Sequence, residues 1–151
     1  MDTNKGDDTN PNYRSRWVAQ QYRRAWVEAI FAATPNIEAV RLLLADAASR
    51  CHTKCPTRQN ICLMVVDIKR AYFHAKAVRD VYVDLPDQDK TLGMCAHLLK
   101  SMYGTRDAAQ NWEEEYVNFM KSIGFESGKS SPCIFHNKSR GIRAVVHGDD
   151  F

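Results

Sequence analysis

The sequence has no long apolar run and no recognisable leader. None of its 151 residues belongs to a stretch approaching the roughly 18 apolar residues that a membrane-spanning helix needs. The first twelve residues are polar and acidic and lack the apolar centre of a signal peptide. We therefore expect neither secretion nor membrane insertion but an intracellular protein, and the sequence does not distinguish a cytoplasmic particle from the nucleus.

A regular disulfide framework is also missing. The five cysteines, an odd number, stand at positions 51, 55, 62, 95 and 133 without even spacing, which favours reduced thiols in an intracellular setting. Cys51-His52-Thr53-Lys54-Cys55 is an alternative, since it resembles half of a zinc knuckle. No second closely spaced pair completes four ligands, so the sequence favours no zinc site.

A strong net charge is absent as well. The formal charge is only +3, and 44% apolar with 26% charged residues is typical of one globular domain. Attraction to nucleic acid would therefore need a local patch. The N-terminal part offers one in Arg14, Arg16, Arg23 and Arg24, interleaved with aromatic residues. A solvated edge strand whose arginines prevent association explains the first two arginines equally well.

Two apolar runs each end on acidic residues. Ile61 to Val66 leads into Asp67, and Ala144 to Val146 leads through two residues into Asp149 and Asp150. We predict two buried strands with carboxylates at their ends. A single acid of this kind is usually a solvated turn residue. Together, however, they match the oxygen ligands of Mg²⁺, and two such ions support nucleotidyl transfer.

The remaining periodicities predict an α+β fold with a disordered segment over residues 1–12 and one domain over 13–151. The predicted elements are an exposed basic strand over 13–18, a helix from Thr34-Pro35 to about Ser49 with a core-facing stripe, strands over 81–85 and 96–99, a helix capped by Asp107 and ended by Gly124, and a hairpin of strands 133–136 and 142–146. In the second helix we expect Trp112, Tyr116, Phe119 and Met120 to form the core face.

The ordered motifs resemble the reverse transcriptase of Ty1/copia-type retrotransposons. The similarity runs from about Tyr13 to Phe151 and comprises the basic segment 13–20, the early helix 35–49, Asp67-Ile68-Lys69-Arg70-Ala71-Tyr72, Val81 to Pro86, Leu98 to Gly104, Trp112, Gly124-Phe125 with Ser130 and Pro132-Cys133, and Asp149-Asp150. Each block alone is a weak signal, whereas their order is specific. The resemblance implies reverse-transcriptase-like fingers and a partial palm, in which an antiparallel sheet packs against helices.

The resemblance also implies a role for each matched residue. Catalysis would rest on Asp67, Asp149 and Asp150, of which Asp67 and Asp149 would bind two Mg²⁺ ions, with Mn²⁺ as the alternative ion. The nucleotide would contact Arg14, Arg16, Tyr72, Tyr103 and Gly104, where the ring of Tyr72 would exclude a ribose 2′-hydroxyl. Arg23, Arg24 and Lys69 would contact nucleic acid. The implied partners are an RNA or DNA template with its primer, deoxynucleotides, and the rest of a Pol polyprotein.

Several departures from the family pattern keep a second interpretation open. His147-Gly148 stands where the family has tyrosine and valine, Ala109 replaces a proline, and the sequence ends just after the acidic pair. We expect the returning strand, the rest of the palm, the thumb and the ribonuclease H domain to be needed for activity. The alternatives are therefore an inactive remnant that at most binds nucleic acid, or a small α/β domain with ordinary turn acids.

Overall fold

The computed structural model describes residues 2–15, 17–21, 32–51 and 61–151. Its strands are β1 (Asp2–Asn4), β2 (Tyr13–Ser15), β3 (Tyr82–Val83), β4 (Ala96–His97), β5 (Glu126–Ser127), β6 (Ile134–Asn137) and β7 (Ile142–Val145). Its helices are α1 (Ile37–Cys51) and α2 (Ala108–Ser122), with a 3₁₀ turn over Ala71–His74. The mixed α+β class is confirmed, while the arrangement into fingers and palm stays a prediction.

The described strands form three small antiparallel sheets. β1 pairs with β2, β3 with β4, and β5, β6 and β7 form a three-stranded sheet in sequence order. In the last sheet Ile134 lies opposite Val145 and Asn137 opposite Ile142, which confirms the predicted hairpin. The fully buried Asn137 side chain shapes its loop, because Oδ1 accepts hydrogen bonds from the Ser139 hydroxyl and the Arg140 amide.

The core lies between α2, the 3₁₀ turn and the three-stranded sheet. Its buried members are Ala71, Ala75, Trp112, Tyr116, Met120, Phe135 and Val146. Trp112 and Tyr116 meet edge to face, with ring centroids 5.6 Å apart, and Tyr116 meets Phe135 in the same way at 6.1 Å. The buried aromatic face of α2 is thus confirmed, except that Phe119 is 60% exposed and does not belong to it.

Helix α1 differs from its prediction at its start and in its packing. It begins at Ile37 rather than beside Pro35, because the side-chain oxygen of Asn36 accepts the Glu38 amide at 3.2 Å and caps the first turn. The expected core stripe is mostly exposed, with Ile37, Val40 and Leu44 all facing solvent in part or fully. Within the described residues, the sheet contact of α1 is with β7.

The predicted buried strand over 61–66 is wrong. No strand is assigned there, and Leu63, Met64 and Val65 are largely exposed. Regular pairing in this part of the described chain is confined to the end of the run, where Val66 meets Phe151. An apolar run alone cannot show which neighbours will cover it.

The N-terminal segment, predicted to be disordered, contains strand β1. The side-chain oxygen of Asn4 accepts the amides of Gly6 and Asn12, both at 2.9 Å, and so closes the β1–β2 hairpin. Composition predicts disorder here because the segment has little apolar surface, whereas these local polar contacts are sequence-specific. None of the helices in the described part of the chain is long and apolar enough to cross a membrane.

Candidate active site

The acids from the two distant motifs meet in the fold. Val66 and Phe151 exchange two backbone hydrogen bonds, of 2.9 and 2.8 Å. One step along this short ladder, Asp67 and Asp150 form an antiparallel bridge. Such directly opposed residues lie on one face, and both aspartates are exposed to solvent. The structure therefore brings together two carboxylates separated by more than eighty positions in the sequence.

Asp149 and Asp150 lie in a tight hairpin turn. The backbones of His147 and Asp150 exchange hydrogen bonds of 2.9 and 3.1 Å, which leaves Gly148 and Asp149 as the two central residues. Gly148 has φ +67°, and glycine at the first central position is typical of a type II′ turn. Glycine adopts this positive φ without the strain that a residue with a Cβ would incur. The carbonyl of Asp149 also accepts the Ile68 amide at 2.8 Å.

Helix α2 holds this turn in place. The indole Nε1–H of Trp112 donates a 2.7 Å hydrogen bond to the carbonyl oxygen of Gly148. The ring of Phe151, directly after the acids, packs edge to face against Trp112 and Tyr116, with centroids 6.5 and 5.7 Å away. Backbone and aromatic contacts thus fix both sides of the acidic turn.

The donor chemistry of this turn suits a hard divalent cation. Two opposed carboxylates match the one or two protein ligands that Mg²⁺ takes when waters and substrate phosphates complete its shell. Among the described residues, no set of three His, Cys, Asp or Glu side chains is arranged to hold a metal. The bridge partner of Asp67 is Asp150, whereas the predicted ligand Asp149 occupies the turn itself. The assignment of metal ligands stays a prediction.

The two tyrosines predicted to border the nucleotide are in contact. The ring centroids of Tyr72 and Tyr103 lie 4.5 Å apart, and Phe73 meets Tyr103 edge to face at 5.8 Å. Between Asp67 and Tyr72 the chain turns sharply through Arg70, whose φ of 59° is in the left-handed region. A non-glycine residue there is uncommon, and such conformations concentrate at functional sites.

The N-terminal segment is seated directly over the Tyr103 turn. The Ala19 amide donates a 2.8 Å hydrogen bond to the Tyr103 carbonyl. Gly104 has φ +90°, and a Cβ at this position would overlap the carbonyl oxygen of Ala19. Glycine is therefore required here for conformation and for close approach. Arg14 lies on β2, shortly before this seated segment, and is exposed.

A polar network that the sequence did not reveal lies beside this contact. The Arg79 guanidinium binds the Asp107 carboxylate through two hydrogen bonds, of 2.9 and 2.8 Å. Asp107 is buried, and its hydrogen bonds from Arg79 hold the pKa of that carboxyl below its ordinary value. The Asn111 amide links Asp107 to the hydroxyl of Ser101, at 3.5 and 3.0 Å. Asp107 stands at the predicted cap position but binds Arg79 instead of capping the helix.

Gln21 connects the N-terminal segment to this network. Its side-chain oxygen accepts two hydrogen bonds, from Nη2 of Arg79 at 3.1 Å and from the Arg106 amide at 2.9 Å. A cavity of about 500 Å³ opens between this segment and β3, with walls that include Trp17, Gln21, Tyr82 and Met102.

The predicted basic contacts are only partly described. Lys69 is exposed two positions after Asp67. Arg16, Arg23 and Arg24, together with most of the Cys51 to Cys55 motif, lie outside the described residues. The patch proposed for phosphate therefore stays a prediction, apart from the exposed position of Arg14.

The sequence contains few signals for the hydrogen bonds of Trp112 and Gln21, which the sequence analysis did not predict. A buried tryptophan needs an acceptor for its N–H, so the core position of Trp112 implied some partner without identifying Gly148. Gln21 and Arg79 are 58 positions apart and carry no local pattern. Their pairing follows from the tertiary fold alone.

Comparison with known proteins identifies the family of the chain. A family model described as reverse transcriptase (RNA-dependent DNA polymerase) matches residues 2–150. The chain is 25% identical over 139 residues to the retrovirus-related Pol polyprotein from transposon TNT 1-94 of Nicotiana tabacum, covering 88% of this chain and 10% of that protein. It is 28% identical over 136 residues to the corresponding polyprotein from transposon RE1 of Arabidopsis thaliana, covering 85% and 9%.

A yeast relative matches over a shorter range. The transposon Ty1-MR1 Gag-Pol polyprotein of Saccharomyces cerevisiae is 27% identical over 88 residues, which is 58% of this chain and 5% of that protein. The chain thus spans about a tenth or less of the length of these curated relatives. No solved structure matches it significantly. Since the family model covers nearly every residue and the relatives are Ty1/copia-type Pol polyproteins, the chain belongs to the reverse transcriptase family, as a copia-type domain.

Proposed function

We propose that this chain carries the nucleotidyl-transfer site of an RNA-directed DNA polymerase, which adds deoxynucleotides to a primer 3′-hydroxyl. The observation that carries the proposal is the pairing of Asp67 with Asp150 beside a hairpin turn that contains Asp149. Motifs far apart in sequence thereby supply carboxylates to one exposed place. Acidic residues that only solvate separate turns would not need to lie opposite one another.

The acids would hold two Mg²⁺ ions, with Asp67 and Asp149 as principal ligands and Asp150 opposite Asp67. When bound, the ions would favour ionisation of the primer hydroxyl and stabilise the charge that develops as pyrophosphate leaves. The protein's own contribution is rigidity. The Trp112 hydrogen bond and the Phe151 packing would hold the turn in position, and misplacement by about 1 Å can cost on the order of a hundredfold in rate.

The nucleotide would lie against Tyr72 and Tyr103. Since these rings are in contact, Tyr103 restricts the directions in which Tyr72 can turn. A fixed aromatic ring beneath the sugar would exclude a 2′-hydroxyl and so favour deoxynucleotides. Arg14, with Arg16, would bind the triphosphate, because a guanidinium group matches phosphate oxygens in charge and geometry.

Template and primer would be held mainly through their backbones. Lys69 is exposed next to the acidic site, and Arg23 and Arg24 extend the basic N-terminal part. Contacts of cations with phosphates carry no sequence information and weaken as salt rises. We therefore propose non-specific, salt-dependent binding of the template–primer, with the rest of a Pol polyprotein completing the enzyme.

Primer extension tests this proposal. The purified chain is given an RNA template, an annealed DNA primer, deoxynucleotides and Mg²⁺, alongside Asp67→Asn and the control Asp89→Asn. Asp89 is an exposed loop acid, so its variant removes one charge without touching the site. Extension by the wild type and the control, but not by Asp67→Asn, supports the proposal.

The competing remnant function gives a different outcome. Binding of the template–primer by all three proteins, with the same salt dependence and no extension by any of them, would favour a chain that only binds nucleic acid. Extension that survives Asp67→Asn would contradict the assignment of the acids.

A further inference from the structure

The hairpin that carries Arg14 has few described links to the rest of the protein. β1 and β2 pair with each other, and among the described elements neither makes an extensive contact with another strand or helix. The chain from Trp17 to Gln21 connects this hairpin to the core side without helix or strand of its own. Among the described residues, this connecting segment is the part of the chain next to the hairpin that contacts Tyr103.

Two kinds of contact seat the segment. At its middle, the Ala19 amide donates to the carbonyl of Tyr103, and the absence of a side chain on Gly104 permits this approach. At its end, the side-chain oxygen of Gln21 accepts from both Arg79 and the Arg106 amide. The second contact is the more specific one, because it requires an acceptor of suitable length at one position.

The groups that bind Gln21 are themselves fixed. Asp107 holds the Arg79 guanidinium through two hydrogen bonds, so the remaining N–H groups of Arg79 point in set directions. Asn111 links Asp107 to Ser101, whose hydroxyl donates to the Lys76 carbonyl at 3.1 Å. Through these hydrogen bonds, the Arg79 guanidinium that binds Gln21 is connected to buried side chains.

We propose that Gln21 is a positioning residue for the nucleotide: by docking on Arg79 and Arg106, it holds against Tyr103 the segment that follows the arginine-bearing hairpin. The inference rests on the proposed function and adds to it a residue that touches neither nucleotide nor metal. Its effect is on nucleotide affinity, because the distance from Arg14 to the sugar-binding tyrosines is set through it. The same contact fixes the wall of the cavity that Trp17 and Gln21 line.

Three substitutions separate this role from a general structural one. Gln21→Met keeps the length of the side chain but removes the acceptor. Gln21→Glu keeps an acceptor oxygen that faces the same two donors, and should rescue the loss. Gln110→Met is the matched control, since Gln110 is an exposed glutamine on α2.

Amide hydrogen exchange on the full chain measures docking without any ligand. In Gln21→Met we expect the amides of Arg106 and Ala19 to exchange roughly tenfold faster, with the α2 amides unchanged. Gln21→Glu and Gln110→Met should exchange as the wild type does. Unchanged exchange at Arg106 in Gln21→Met would overturn the proposal.

Nucleotide affinity provides the second measurement. Calorimetric titration of the chain and a template–primer that lacks the primer 3′-hydroxyl with a deoxynucleotide and Mg²⁺ should give a dissociation constant raised roughly tenfold in Gln21→Met and restored in Gln21→Glu. In primer extension the change should appear in KM and not in kcat. Faster exchange with unaltered affinity would overturn the positioning role. If the wild type binds no nucleotide, the proposed function fails and the positioning role with it, while the exchange result still shows whether Gln21 docks.

Discussion

The Nε1–H of Trp112 donates a 2.7 Å hydrogen bond to the carbonyl oxygen of Gly148, which directly precedes the acidic pair. This contact joins the middle of α2 to the hairpin turn across 36 positions of sequence. A scaffold helix thereby determines where the acids lie. Its consequence can be tested by removing the hydrogen bond while retaining the aromatic ring.

Trp112→Phe should destabilise the fold and loosen the acidic turn. The lost hydrogen bond and the smaller ring together should lower the free energy of unfolding by about 1–3 kcal/mol. Urea denaturation followed by circular dichroism measures this change. Phe119→Leu is the control, because Phe119 is an exposed aromatic on the same helix and its change should stay within about 0.5 kcal/mol. Equal losses in the two variants would contradict the role given to Trp112.

Gly148→Ala should destabilise the protein through backbone strain alone, without a steric clash. Gly148 has φ +67°, and a Cβ added there meets no atom within 4 Å, so the expected cost is about 1–2 kcal/mol from conformation. Gly93→Ala is a matched control, since Gly93 has φ +79° and equally open surroundings. We expect similar losses of stability in denaturation experiments, but reduced Mg²⁺ affinity only in Gly148→Ala. Reduced affinity in both variants would mean that the turn geometry is not responsible.

The ion pair of Asp107 with Arg79 should make stability depend on acidity. Hydrogen bonding from Arg79 lowers the pKa of Asp107 below the ordinary 3.8. The resulting stabilisation is therefore fully present when the pH is above the ordinary pKa of 3.8, and it is lost as the pH falls through the lower pKa of the folded state. Denaturant unfolding at several pH values from neutral down to about pH 3 measures this effect. The free energy of unfolding should fall less with decreasing pH in Asp107→Asn than in the wild type.

A second carboxyl serves as the control for that pH experiment. The pKa of Glu126 is lowered by its hydrogen bond from Lys138, but both partners are largely exposed. Glu126→Gln should therefore leave the acid decline nearly unchanged, because exposed pairs contribute little to stability. If both variants flatten the decline equally, the burial of Asp107 has no special effect.

Asp67→Asn should stabilise the protein when no divalent cation is present. Asp67 and Asp150 are directly opposed, and like charges in such cross-strand pairs are destabilising by roughly 0.2–1 kcal/mol. Thermal unfolding in the presence of a chelator measures the effect, which added salt should reduce. A lower melting temperature for Asp67→Asn under these conditions would show that the two carboxylates do not repel each other.

The sequence predicted those features that local chemistry determines. Helix α2 ends where Gly124 adopts φ +89°, and the β6–β7 hairpin follows from alternating apolar residues around a polar loop. The proximity of Asp67 to the acidic pair was predicted from two apolar runs that end on acids and from the family resemblance, and Asp67 does pair with Asp150 in the fold. Sequence could not show the exposure of Leu63 to Val65, since burial depends on which elements cover a run.

The contacts that organise the site were the least predictable. Asp107 looks like a helix cap because of its position, yet a guanidinium 28 residues away takes its carboxylate. Gln21 has no periodicity, charge or motif that marks it, and its acceptor role arises only when three distant segments meet. Long-range polar pairing of this kind leaves no local signature in one sequence.

Isothermal titration of Mg²⁺ into the purified chain measures whether the acidic motifs build a metal site, because binding does not require a complete polymerase. We expect saturable binding that is strongly weakened in Asp67→Asn and in Asp149→Asn and is retained in Asp89→Asn. The double variant should be little worse than either single one, since both acids serve one site. Equal binding by the wild type and Asp67→Asn, or none by the folded wild type, would contradict the claim that these motifs build a metal site.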